Sequence, residues 1–180
     1  MLKLAAAAVL AIAVAAVLVA LTYRARSEGR LTHCRNNLRQ IGVLSHQGFA
    51  QQWEQLEGGF RGRELLQFVR EQYKDSRGRW MRGNPLNPFG CPVRGVQPAD
   101  LSTLSDAEFA SVMQDVKTID YAGPGDLPLE RPKEPIAWAA DRPGNHPQGG
   151  YVLLVDFSQA KVEKALEVTS GWERATALKD

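Results

Sequence analysis

Two cysteines and three histidines are the side chains through which this chain of 180 residues could do chemistry. Cys34 and Cys91 could close a disulfide in an oxidising compartment, and a loop of that length adds ~4 kcal/mol in the chain-entropy model. Cys34 could equally be a small apolar residue buried along a helix. His146, with Asp141 and Asp156 at short range in sequence, could stand behind a Cys91 nucleophile. A thiol nucleophile needs a base beside it and a lowered pKa. The spacing supplies neither, and Cys91 is followed by Pro92 in a loop, so no catalytic residue is assigned. His146 then has a plainer role, hydrogen-bonding the backbone of a Gly/Pro loop to fix a hairpin. No metal or cofactor is assigned either. His33, His46 and His146 show no zinc-type spacing with the cysteines. Asp141, Asn145 and Asp156 offer only two carboxylates among prolines, where calcium takes six to eight oxygens.

The element that must carry Cys34 begins at the N-terminus. Leu4 to Thr22 is apolar apart from its last residue and holds no charge and no proline, with Lys3 before it and Arg24, Arg26 and Arg30 after it. About 19 residues at ~1.5 Å each span roughly 28 Å, close to the hydrocarbon thickness of a bilayer. A cleaved signal peptide is the alternative, but its best cut, after Leu18-Val19-Ala20, puts leucine where a small residue is preferred. All ten prolines lie between Pro85 and Pro147. Leu31, Cys34, Leu38, Ile41, Ser45, Phe49, Trp53 and Leu56 recur at steps of three or four. One helix is therefore predicted from near Lys3 to near Leu56, stopped by Gly58-Gly59. This divides the chain into an anchor over 1–23, its helical continuation over 24–57, and an α+β domain over 58–180.

Charge excludes one class of partner. Lys3 is the only charged residue in 1–23, so the remainder carries 21 basic against 20 acidic residues. No basic surplus points to nucleic acid, and no small-molecule substrate is expected.

Shorter elements follow. Gly62 to Lys74 reads as an amphipathic helix through Leu65, Leu66, Val69 and Tyr73. Gly83 to Pro98 is a loop rich in turn formers. Ser105 to Glu108 has capping-box spacing, and Phe109, Val112, Met113 and Val116 continue it as a helix. Val116 to Ala122 reads as a strand closed by Gly123-Pro124-Gly125, and Leu127 to Pro135 as a surface connection. Tyr151 to Val155 is the strongest strand signal. Asp156 to Gln159 suits a turn, Val162 to Val168 a returning strand or a helix, and Trp172 to Leu178 a terminal helical turn. The apolar stripe from Leu31 to Leu56 is expected to cover this small sheet, with Leu38, Ile41 and Phe49 against Tyr151 to Val155.

Cys34 to Gly42 (CRNNLRQIG), Phe89 to Pro92, Asp120 to Gly123, and His146 and Asp156 with nine residues between them together resemble the type IV pilin-like proteins, in particular the pseudopilin-like group with a C-terminal H-x9-D-G tag. Cys34 to Gly42, CRNNLRQIG, looks like that group's C-x-N-N-L-K-Q-I-G stretch. Phe89-Gly90-Cys91-Pro92 is similar to its mid-chain cysteine–proline, and Asp120-Tyr121-Ala122-Gly123 to its D-Y-A-G turn. His146 and Asp156 have the tag's spacing, although Phe157 and Ser158 stand where the group has glycine and usually histidine. Pilin precursors also carry a glycine cut site and a nearby glutamate that helps a subunit enter a filament; Leu4 to Thr22 holds neither.

The resemblance implies a long membrane-spanning helix continuing into a small pilin-like α+β domain with an antiparallel sheet. It implies a non-enzymatic, structural, pseudopilin-like component of an envelope secretion or pilus-type assembly. The partners expected are the lipid bilayer and other envelope or pilin-like subunits. The alternatives are a membrane-tethered adaptor that does not polymerise and, from another class, a secreted thiol- or metal-dependent hydrolase. For placement, the three arginines after the anchor lean towards a cytoplasmic domain, whereas the resemblance implies a single pass through the cytoplasmic (inner) membrane with the domain outside. The second is the expectation adopted. Asn36 and Asn37 could contact the loops below the sheet, but the expectation adopted is that they face solvent.

Overall fold

The computed structural model describes residues 2–49, 62–71, 74, 88–93, 103–124, 136–142, 145–146, 150–155, 160–164 and 178–179. Its first element, α1 (Leu2–Phe49), is a single helix of 48 residues, roughly 72 Å long at 1.5 Å per residue. The predicted extension to Leu56 and the stop at Gly58-Gly59 lie outside the described residues. The uninterrupted path through Gly29 and Gly42 follows from the absence of proline and from support on one side only where it is needed. From Ala5 to Arg26 the described side chains are exposed, Val9 at 68% and Ile12 at 69%. This part of α1 is long and apolar enough to cross a membrane, and its most apolar window is not buried anywhere in the chain. From Cys34 onward one stripe is buried: Cys34, Asn37, Leu38, Ile41 and Ser45.

That stripe lies on an antiparallel sheet of five strands, β1 (Tyr121–Pro124), β2 (Ile136–Asp141), β3 (Tyr151–Val155), β4 (Ala160–Lys164) and β5 (Leu178–Lys179), in the order β4-β3-β2-β1-β5. The architecture is α+β. Helix α1 contacts β2, β3 and β4, while α2 (Arg63–Glu71) sits beside α1 and covers β1. Leu38 and Ile41 are fully buried with Leu65, Leu66, Val69, Phe89, Ile119, Tyr121, Trp138, Ala139 and Leu153. Leu153 of β3 lies against the helix at Gly42, where an added Cβ would fall 3.3 Å from its Cδ2. The side chain of Phe49 is outside what is described. The Trp138 indole N–H donates to Ser45 Oγ at 2.6 Å, tying β2 to α1, and Ser45 Oγ donates to Ile41 O at 2.7 Å.

Strand β3 occupies the predicted residues, and α3 (Asp106–Gln114) begins with the expected capping box between Ser105 and Glu108. Other elements differ from expectation. Val116–Thr118 is a 3-10 turn rather than the start of a strand. The Asp115 carboxylate accepts from Lys117 N at 2.9 Å, and the Thr118 hydroxyl donates to backbone carbonyls, so local partners satisfy this backbone before a ladder can. Strand β1 therefore starts at Tyr121 and runs through Gly123-Pro124, the residues read as its end. Gly123 is needed there: a Cβ would come within 2.1 Å of Gly62 O, and Gly62, at φ 56, donates its N–H to Pro124 O. Strand β2 was not expected at all, since alanine is a poor strand former and its pattern does not alternate. The return strand expected from Val162 pairs with β3 but begins two residues earlier, as Ala160–Lys164, from Tyr151↔Lys164 to Val155↔Ala160; 165–168 lie outside the described residues. Leu178 belongs to β5, which pairs with β1, rather than to a helical turn.

Candidate functional site: a buried thiol, imidazole and carboxylate cluster

Cys34, Cys91, Asp120 and His146, far apart in sequence, come together just beyond the apolar half of α1. Helix α1 presents Cys34 and Asn37 one turn apart on its buried stripe. The Phe89–Cys91 turn packs over them, and its shape is held by polar contacts rather than by a ladder. Asn37 Nδ2 donates to Gly90 O at 2.9 Å, Cys91 N donates to Asp120 Oδ2 at 2.8 Å, and Asp120 N donates to Phe89 O at 2.9 Å. From the chain after β2, Asn145 Nδ2 donates to Asp120 O at 2.8 Å. Asn37, Asp120 and Asn145 are all buried, which corrects the expectation that Asn37 faces solvent; Asn36 does. The helix turns Asn37 onto the stripe with Cys34 at i+3, a spacing that could have revealed its burial. Burying an amide costs free energy unless it is paired, so these residues are committed to this junction.

Within this frame four ligand-type side chains meet. Cys34 Sγ and Cys91 Sγ lie 3.3 Å apart, Cys91 Sγ is 3.7 Å from His146 Nε2, and His146 Nε2 is 3.4 Å from Asp141 Oδ1. All four residues are buried, and both thiols are unbonded. Asp141 is fixed from behind, its Oδ2 accepting from Tyr151 N at 2.8 Å. Gly150 makes room for it, since a Cβ there would fall 2.4 Å from Asp141 Cβ. Of the residues expected to matter, the fold thus unites Cys34, Cys91 and His146, and adds Asp141. Asp156, the other half of the tag, lies outside the described residues.

The electrostatics of the cluster divide the protons unequally. The hydrogen bond from Cys34 and the neighbouring His146 outweigh burial and bring the Cys91 thiol down to about 5. The same hydrogen bond, with burial and the Asp141 charge, pushes Cys34 up. Burial disfavours a charged ring at His146, but Asp141 and Cys91 prevail and raise it to about 9. Within the cluster, negative charge is thus favoured on Cys91 over Cys34, and a proton is favoured on His146. Tyr121, buried against Cys34 and Asn37, is held well above the ordinary phenol range, chiefly by burial.

This geometry does not make a catalytic relay. A Cys–His–Asp relay uses both ring nitrogens, one facing the nucleophile and the other the orienting acid. Here Cys91 and Asp141 approach the same nitrogen, Nε2. A cleft of about 360 Å³, lined by Tyr23, Arg26, Arg30 and Val93 among others, reaches the edge of His146 at the base of the apolar half of α1. His33 and His46 lie elsewhere on α1 and do not join the cluster.

No family model, no curated protein and no solved structure matches this chain.

Proposed function

We propose that this chain is a structural, pseudopilin-like, single-pass component of an envelope secretion or pilus-type assembly, held in the cytoplasmic membrane with its α+β domain outside the cytoplasm. One observation carries the reading. Helix α1 is continuous, with an exposed apolar half of bilayer length and a second half whose buried stripe is part of the domain core. A helix shared in this way fixes the domain to the membrane without a flexible linker, which suits a subunit that must hold its orientation among neighbours. The cluster is not a catalytic centre in this reading, since its nucleophile, base and acid are buried and share one ring nitrogen.

A second reading, a membrane-tethered adaptor that does not polymerise, draws on a specific feature. Leu4 to Thr22 carries no acidic residue. Leu, Val and Ala on that surface offer only apolar packing to a neighbour in lipid, with no charged group to set register.

Mild crosslinking in native membranes, followed by mass spectrometry of the adducts, separates the two. Adducts containing further copies of this chain or other single-pass subunits of the same assembly are expected. A chain recovered only as monomer, or bound once to one soluble protein, would replace the first reading with the second.

A further inference from the structure

We propose that Cys34, Cys91, His146 and Asp141 form a binding site for a divalent cation of the zinc type, at the junction of α1 with the domain. The inference is independent of whether the chain enters an assembly.

Donor geometry comes first. Tetrahedral zinc takes nitrogen and oxygen ligands at ~2.0–2.2 Å and thiolate at ~2.3 Å, which sets ligand atoms ~3.3–3.8 Å apart. The separations here are 3.3 Å between the sulfurs, 3.7 Å from sulfur to nitrogen and 3.4 Å from nitrogen to oxygen. All four atoms lie within 4.8 Å of one another. Small side-chain adjustments would bring the longer edges onto a common centre. Two sulfurs with an imidazole exclude the hard cations calcium and magnesium, which take oxygen, and suit a borderline-soft ion.

A second observation points to a ligand on its own. Asp141 Oδ1 is buried and has no hydrogen bond of good geometry among the described residues, its nearest polar neighbour in the cluster being His146 Nε2 at 3.4 Å. A buried carboxylate oxygen with one long contact is short of partners, and a cation in the cluster would supply one. Oδ1 is aimed at the cluster, while Oδ2 is held by Tyr151 N. An outer contact that fixes a ligand carboxylate while its other oxygen faces the site is the arrangement found around bound metals. Cys91 is set in the same way, through its backbone N–H on Asp120.

Charge is also accounted for. Two thiolates, a carboxylate and a neutral imidazole around a dication leave a single negative charge. Arg26 and Arg30 line the adjoining cleft and offset it. Binding displaces the protons of the cluster to solvent and forms no covalent bond. A Cys34–Cys91 disulfide is the competing state. It would need a two-electron oxidant, would release both thiol protons and would remove two of the four ligands, so the two states exclude each other.

The test uses the full-length chain, extracted in detergent from zinc-supplied cells without chelators. Elemental analysis by mass spectrometry should find one zinc per chain. Both cysteines should resist alkylation until a chelator is added. Replacing zinc with Co(II) should give thiolate-to-cobalt charge-transfer absorption. His146→Ala and Asp141→Asn should each weaken cobalt binding at least about tenfold. If either variant misfolds, the wild-type metal content and cobalt spectrum decide alone. Three results would overturn the site: a metal-free chain two hydrogens lighter than its sequence, which is the disulfide; a reduced chain that takes up neither zinc nor cobalt; or bound cobalt without sulfur absorption.

Discussion

Asn36 and Asn37 are adjacent, identical and differently placed. Asn36 faces solvent, whereas Asn37 is buried and holds the Gly90 carbonyl. Asn37→Ala would leave that carbonyl unpaired in the interior and should cost ~1–3 kcal/mol. Asn36→Ala should stay within about 0.5 kcal/mol. Thermal melts of the detergent-solubilised chain, compared for the two variants, check the difference; equal melts would mean that Asn37 is not a structural contact. Arg70 makes the same point on α2. It is fully buried, and burial lowers it to about 10. Its guanidinium donates to Thr118 Oγ1 at 2.7 Å, to Asp115 O at 2.9 Å and to Gln67 Oε1. The 3-10 turn that displaced the expected strand is therefore clamped to α2 by a charge that could not be buried without those acceptors.

Helix α1 is two environments joined by one backbone. In its second half, Leu38 and Ile41 are fully buried against β3 and α2 side chains, whereas Val43 is 56% exposed. Leu38→Ala and Ile41→Ala should each cost ~2–5 kcal/mol through lost burial and the cavity left behind. Val43→Ala should cost under about 0.5 kcal/mol. Denaturation in detergent reads these directly, and unchanged stability for both buried truncations would refute the packing of α1 on the sheet. In α3, the Ser105 side chain meets Glu108 N while Glu108 reaches back to Ser105 N at 2.9 Å. Ser105→Ala should cost about 1 kcal/mol. Circular dichroism and melting together should show a local loss that leaves the sheet intact.

Seen as one molecule, the chain is a membrane-length apolar helix whose lower part is built into an α+β domain. The Arg24–Glu28 pair at 3.0 Å and the arginines around it mark where the exposed apolar surface ends and the polar surface begins. The pair itself is exposed and contributes little to stability. In the placement proposed above, lipid would stop near Tyr23. A reporter active only outside the cytoplasm, fused after Asp180, is expected to work. Activity of a cytoplasm-only reporter would reverse the orientation and place the thiol cluster in a reducing compartment.

Local patterns in the chain were sufficient for α1 as far as Phe49, for the Ser105 cap of α3 and for β3. Each rests on short-range physics: an unbroken apolar run, a side chain reaching its own helix end, a short apolar run with two β-branched residues after two glycines. They were also sufficient for the α+β class and for the burial of Leu38 and Ile41, which helical periodicity foretells. Strand β2 needed the tertiary structure, because Ile136-Ala137-Trp138-Ala139-Ala140 becomes a strand only between β1 and β3, with Trp138 pinned to Ser45. Strand β5 is two residues long and exists only through its pairing with β1. The thiol, imidazole and carboxylate cluster belongs to the same category. Its members stand at positions 34, 91, 141 and 146, with no ligand spacing among them. Only the docking of a helix, a turn and the end of β2 brings their atoms within reach, and contact across such separations is decided by packing rather than by any local preference of the residues involved.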